Sequence, residues 1–126
     1  MSNQERAQGA NCGSSGDFEP APALTMSPEL RCAARMHSLD MSQQDYFSHQ
    51  SLNGDSPGDR IDKTGYSWGG WAENIARGQD SPESVVQAWM NSDGHCANIM
   101  SPGLSELGVG HAADGNYWTQ VFGAPW

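Results

Sequence analysis

The chain has 126 residues, room for one domain, and its 37% apolar side chains with 15 glycines match an ordinary globular composition rather than a disordered one. Fifteen acidic against six basic side chains give a formal charge of −9, which removes the main driving force for binding phosphate backbones and excludes a nucleic-acid partner. No apolar run approaches the roughly 18 residues of a membrane span, and no apolar stretch follows a basic start in residues 1–26, so neither a membrane-spanning segment nor an export signal is expected within the chain.

Residues 1–9 suit a short helix, and residues 10–26, rich in Gly, Ser and Pro, suit a loop or tether; together they form the N-terminal arm of one domain spanning residues 1–126. Ser27-Pro28 is a helix start, and Leu30, Ala33, Ala34, His37 and Met41 then recur on one face, which predicts an amphipathic helix to about Asp45. Ser56-Pro57 opens a second helix that stops at Gly65. Ser81-Pro82-Glu83 opens a third, reaching about Asn91, with Val85, Val86 and Trp89 on its packing face. Between them Tyr66 to Trp71 is aromatic and Gly rich. Near the end, Leu107–Ala113 and Asn116–Gly123 flank Asp114-Gly115, a hairpin signal that expects positive φ at both central residues. On its second strand Tyr117, Thr119 and Val121 face one way and Trp118, Gln120 and Phe122 the other. A small antiparallel sheet must bury at least one face, and the helices are the available cover, so the fold class is α+β.

Cys12, Cys32 and Cys96 admit three single pairings, each leaving one thiol over, and none has the short spacing of a thiolate zinc site. Cys32 falls within the apolar stripe of the first long helix, the place of a buried small hydrophobe. Cys12 and Cys96 lie in Gly-bounded irregular segments, which favours a Cys12–Cys96 staple from arm to body and, with it, an oxidising compartment. Among the polar residues, His37 sits on an apolar helix face as a satisfied, half-buried histidine, and His111 is expected to be exposed and without a role. Asp55 and Arg60 suit a cap plus a salt bridge, and Asn74 and Asn98 suit bonds to backbone groups in turns. Ser48 and Ser92 neighbour histidines, but the sequence has no Gly-x-Ser-x-Gly elbow. Trp89 and Trp118 are expected in the core, Trp68 and Trp71 beside glycines at the rim of a cleft, and Trp126 completes the tryptophans.

Six segments in order resemble the bacterial branch of the CAP superfamily, also called SCP-like. They are Tyr46-Phe47-Ser48-His49, Gly65-Tyr66, Ala72-Glu73-Asn74-Ile75-Ala76, Val86 to Ser92, Gly94-His95-Cys96-Ala97-Asn98-Ile99-Met100, and Gly108-Val109-Gly110 continuing to Tyr117 through Phe122. The match runs over about residues 4–122. The resemblance implies an α-β-α sandwich around a small, about three-stranded antiparallel sheet, with an extracellular or periplasmic location and a surface cleft. It also implies the Cys12–Cys96 bridge.

In the family this cleft commonly holds two histidines and two glutamates that can bind a divalent cation. His49 and Glu73 match two of them. At the other two places, Trp-x-x-Glu is replaced by Trp89-Met90-Asn91-Ser92 and His-Tyr-Thr-Gln by Tyr117-Trp118-Thr119-Gln120, while His95 stands as a substitute approaching from the other side. The implied ligand cleft is therefore His49, Glu73, Ser92, His95 and Tyr117. The implied metal set is His49, Glu73 and His95, which zinc or another divalent cation accepts with a position left for water. The leading expectation is a secreted, non-catalytic monomer that binds a small-molecule, lipid or cell-surface ligand. Its rivals are a metal-assisted hydrolase with Glu73 as ligand or general base, and a disulfide-stapled adhesive module.

Overall fold

The computed structural model describes residues 1–125; Trp126 lies outside the described residues. In chain order the arm carries α1 (Ser2–Gln8), β1 (Ala10–Asn11), β2 (Asp17–Phe18) and β3 (Thr25–Met26), followed by α2 (Pro28–Gln44) and α3 (Pro57–Asp62). Then come β4 (Trp68–Arg77), α4 (Pro82–Met90), α5 (Asp93–Met100), β5 (Glu106–Ala112) and β6 (Tyr117–Pro125). All three Ser-Pro starts are used. The hydroxyls of Ser27, Ser56 and Ser81 each accept from a backbone N–H of the first turn, and Pro at the first helical position gives up no needed donor.

The main sheet has the order β3-β5-β6-β4. Its body is the expected antiparallel set of β5, β6 and β4, to which β3 adds a two-residue parallel edge; β1 and β2 form a separate ribbon in the arm. The pleat sorts the side chains of β6 as the alternation predicted. Val121 packs with Leu30, Ala33 and Ala34 of α2, and Tyr117 with Met41, whereas Trp118 and Phe122 join Val85, Trp89, Ile99 and Met100 of α4 and α5. The layers are thus α2 and α3, then the sheet, then α4, α5 and α1. Gly108 and Gly110 set the distance between α2 and the sheet. A Cβ on Gly108 would lie 2.0 Å from the backbone nitrogen of Arg31, and one on Gly110 would lie 2.4 Å from the carbonyl carbon of Ala34.

Four expectations need correction. The hairpin closes through residues 113–116, because Ala112 pairs with Tyr117. Positive φ therefore falls on Gly115 and Asn116, at 87° and 51°, and not on Asp114. Gly94-His95-Cys96 is the first part of α5 and not an irregular segment. Cys32 is exposed, because it stands two residues from Leu30, roughly 200° around the helix from the stripe that meets the sheet. His37, expected half-buried and satisfied, is fully buried, and its Nδ1 has no partner among the described residues.

The arm is fastened twice. Cys12 and Cys96 form the expected disulfide, with a Cα–Cα separation of 5.5 Å. Arg6, 1% exposed, donates to the carbonyl oxygens of Pro22, Ile99, Ser101 and Leu104 at 2.8–3.1 Å. Ile99 and Ser101 are at the C-terminal end of α5, where unpaired carbonyls and the negative end of the helix dipole favour a cation.

Candidate functional site

Strand β4 is the free edge of the main sheet, and both helical layers reach it there. Its pleat sends Glu73, opposite Val121, to the α2–α3 side, and Asn74, opposite Gln120, to the α4–α5 side. Around this edge a surface cleft of about 380 Å³ is lined by His49, Pro57, Trp71, Ala72, Glu73 and Asn98.

Glu73 is the centre of the site. Its side chain is 1% exposed, yet both carboxylate oxygens are engaged. His49 donates from Nδ1 to Oε1 at 2.8 Å, and Arg60 donates from Nη2 to Oε2 at 2.7 Å. An ionised carboxylate only accepts, so the proton on this side of the imidazole sits on Nδ1 and Nε2 is left for a ligand. The His49 side chain is 51% exposed, with its bonded edge inward. Arg60 also donates to the carbonyl oxygen of His49 at 2.8 Å and to Ser51 Oγ at 2.9 Å, so one guanidinium from α3 fixes both the carboxylate and the loop that carries the histidine. The expected pairing of Asp55 with Arg60 is replaced. Asp55 pairs with Lys63, and the helix cap is Ser56.

From the other layer, α5 is tied to β4 by two amides. Asn98 donates to the carbonyl oxygen of Glu73 and to Asn74 Oδ1, and Asn74 donates to the carbonyl oxygen of His95. Both asparagines bond backbone groups as expected, but from a helix and a strand rather than turns. His95 Nδ1 lies 2.8 Å from Ser92 Oγ. Burial, and then the charge of His49, push the His95 pKa below its ordinary value. Trp71 lines the cleft and meets Trp68 edge-on at 6.4 Å; the Trp68 indole N–H donates to Asp62.

The site residues implied by the resemblance therefore divide. His49 and Glu73 meet directly, Ser92 just before α5 and His95 in its first turn form a neighbouring pair, and Tyr117 lies in the core. Tyr117 is 5% exposed and packs with Met41 and Ile75, because its place in the pleat, with Thr119 and Val121, points it under α2. Among the described residues, no three His, Cys, Asp or Glu side chains gather as a metal-ligand group. Arg60 already neutralises Glu73, while each histidine meets a protein oxygen through Nδ1 alone.

The family model "CAP: Cysteine-rich secretory protein family" matches residues 3–122. The chain belongs to this family. Bacterial relatives agree: this CAP chain is 46% identical over 99 residues to protein YkwD of Bacillus subtilis, covering 79% of the chain and 38% of that protein. It is 36% identical over 90 residues to membrane protein YlbC of the same organism, covering 71% of the chain and 25% of YlbC. Thus it spans well under half the length of both relatives. The crystal structure of an extracellular protein containing a SCP domain from Bacillus anthracis superposes with a TM-score of 0.79 at 32% identity, over 82% of this chain and 34% of that one. An outer surface protein of Borrelia burgdorferi shares the fold, with a TM-score of 0.77 at 23% identity over 84% of this chain and 80% of its own. No helix of the described residues is long and apolar enough to cross a membrane.

Proposed function

We propose that this CAP domain is a non-catalytic binding module that takes a small or surface-borne ligand in the cleft of His49, Trp71, Glu73 and Asn98. The observation that carries the reading is the buried Glu73 carboxylate divided between Arg60 and His49 beneath an open cleft. Burying an ion pair is a poor way to gain stability and a good way to hold a polar group in one orientation. Here it fixes His49 with Nε2 free, beside an indole ring that supplies apolar contact. A polar ligand group bonded to His49 Nε2, with an apolar or ring face against Trp71, fits this chemistry. The Cys12–Cys96 disulfide and the extracellular SCP-domain relative support an oxidising location outside the cytoplasm.

The test combines nitrogen-labelled NMR with calorimetry on the parent and on His49→Ala. A panel of soluble saccharides, short carboxylates and short alcohols is titrated while the His49 ring nitrogens, the Trp71 indole N–H and the Asn98 amide are followed. A ligand that shifts all three in the parent and loses affinity in His49→Ala supports the module. Stoichiometric zinc binding by calorimetry, lost in His49→Ala and weakened one unit below the ordinary histidine pKa of about 6.5, would overturn this reading, because the metal would then occupy His49 Nε2.

A further inference from the structure

Residues of α2, the loop after it, and α3 with the residues that follow it line a second cavity of about 400 Å³. Its lining shares no residue with that of the cleft. Part of the wall is apolar, from Ala33 and Met36 of α2, and Met36 is 62% exposed. The rest is charged, but not evenly satisfied. Arg60 is held by Glu73 and Lys63 by Asp55, so neither cation is free. Asp40 has no cationic partner among the described residues; its Oδ2 accepts from the Tyr46 hydroxyl.

His37 also lines this cavity, and it is a second, independent observation. It is 1% exposed, its Nε2 bonds the Ser48 carbonyl oxygen at 2.8 Å, and its Nδ1 has no partner among the described residues. A carbonyl only accepts, so Nε2 carries the proton and Nδ1 is a buried acceptor without a donor. Burial is the main cause that holds the imidazole below its ordinary pKa, which keeps it neutral and preserves that lone pair. Buried polar atoms without partners are uncommon, and each asks for a group to meet it.

We propose that this cavity is a second binding site, selective for a primary ammonium on a short apolar chain. Asp40 supplies the countercharge, a small movement of the wall uncovers His37 Nδ1 to accept a hydrogen bond from the ligand head, and Ala33 and Met36 receive the chain. An anionic head would meet Asp40 unfavourably, because the neighbouring cations are already taken.

Cys32 gives a built-in reporter. It is exposed, free and part of the cavity lining, while the other two cysteines are bridged. The rate at which Cys32 reacts with an aromatic disulfide reagent is measured with increasing hexylammonium chloride, and in parallel with sodium hexanoate and hexanol at matched ionic strength. The proposal expects saturable slowing by hexylammonium, about fivefold or more, little by the other two, and a midpoint raised about tenfold in Asp40→Asn. Equal protection by hexanoate, absence of protection by hexylammonium, or an unchanged midpoint in a folded Asp40→Asn overturns it. Should Asp40→Asn fail to fold, the unmodified protein still decides. With labelled histidine, the His37 Nδ1 resonance must move with hexylammonium and not with hexanoate, and a resonance indifferent to both refutes the site.

Discussion

Replacing Arg60 by alanine would remove the guanidinium that meets the buried carboxylate of the cleft. The Glu73 side chain is 1% exposed and that of Arg60 10%, so water screens this pair weakly. An exposed pair would be worth about 0–1 kcal/mol, whereas stranding one partner of a buried pair costs about 3–5 kcal/mol. The bonds from Arg60 to the His49 carbonyl and to Ser51 place the expected loss toward the upper end. That is a large share of the roughly 5–15 kcal/mol that holds a domain together. Urea unfolding followed by tryptophan fluorescence measures it, with a constant m-value confirming that compactness is unchanged. Arg60→Ala combined with Glu73→Gln should cost less than the sum of the single changes, by about 1 kcal/mol or more. A single-variant loss under about 1 kcal/mol, or additivity within about 0.5 kcal/mol, would show that Arg60 does not neutralise Glu73.

Three more outcomes follow from the same structure. Arg6→Ala leaves four carbonyl oxygens without their donor and should cost about 3 kcal/mol or more in urea, and Arg6→Lys should recover less than half, since one ammonium cannot reproduce the planar fork. A loss in Arg6→Ala like that of an exposed arginine would contradict the burial. Cys12→Ser with Cys96→Ser opens a loop with a sequence separation of 84 and should cost about 4–5 kcal/mol, read as a lower urea midpoint that the reductant-treated parent shares. Burial favours the neutral imidazoles of His37 and His95 in the fold, while the unfolded chain takes up protons at the ordinary value, so stability holds above about pH 6.5 and declines as pH falls below it. Urea midpoints measured over that range should decline less in His95→Gln, and a parent midpoint that rises on acidification would reverse the sign of the argument.

The helices α2, α3 and α4 were legible because their starts are local: a serine hydroxyl and a proline ring act within one turn. The alternation of β6 was legible for the same reason, and it bears on Tyr117. The motif order put Tyr117 in the cleft, whereas the pleat grouped it with Thr119 and Val121, and the pleat prevailed because a one-residue slip would turn the whole strand over. Helix α5 was not legible. Ser92 makes no capping bond to its first turn and Gly94 weakens it, so the segment is helical through its packing and its disulfide rather than through propensity. His49 and Glu73 came from the motif order, but Arg60 did not. Its partner lies 13 residues away on another element, and no local spacing reports such a meeting. Arg6 left still less trace, because its four partners are carbonyl oxygens, which every residue carries.

The placement of the three cysteines has a consequence for synthesis. A growing chain presents Cys12 and then Cys32 well before Cys96, which follows Cys12 by 84 residues. At roughly 5–20 residues per second, that gap lasts about 4–17 s. In the part of that gap after Cys32 has been made, Cys32 is the one of the other two cysteines that Cys12 can reach, so a disulfide formed then joins Cys12 to Cys32 and requires a later exchange. In that exchange the Cys96 thiolate attacks the Cys12 sulfur and Cys32 leaves as a thiolate, a departure open to it because Cys32 stands on the surface of α2 and is not sealed beneath it. Cys32→Ser would remove that detour, and oxidative refolding should then reach the native bridge directly.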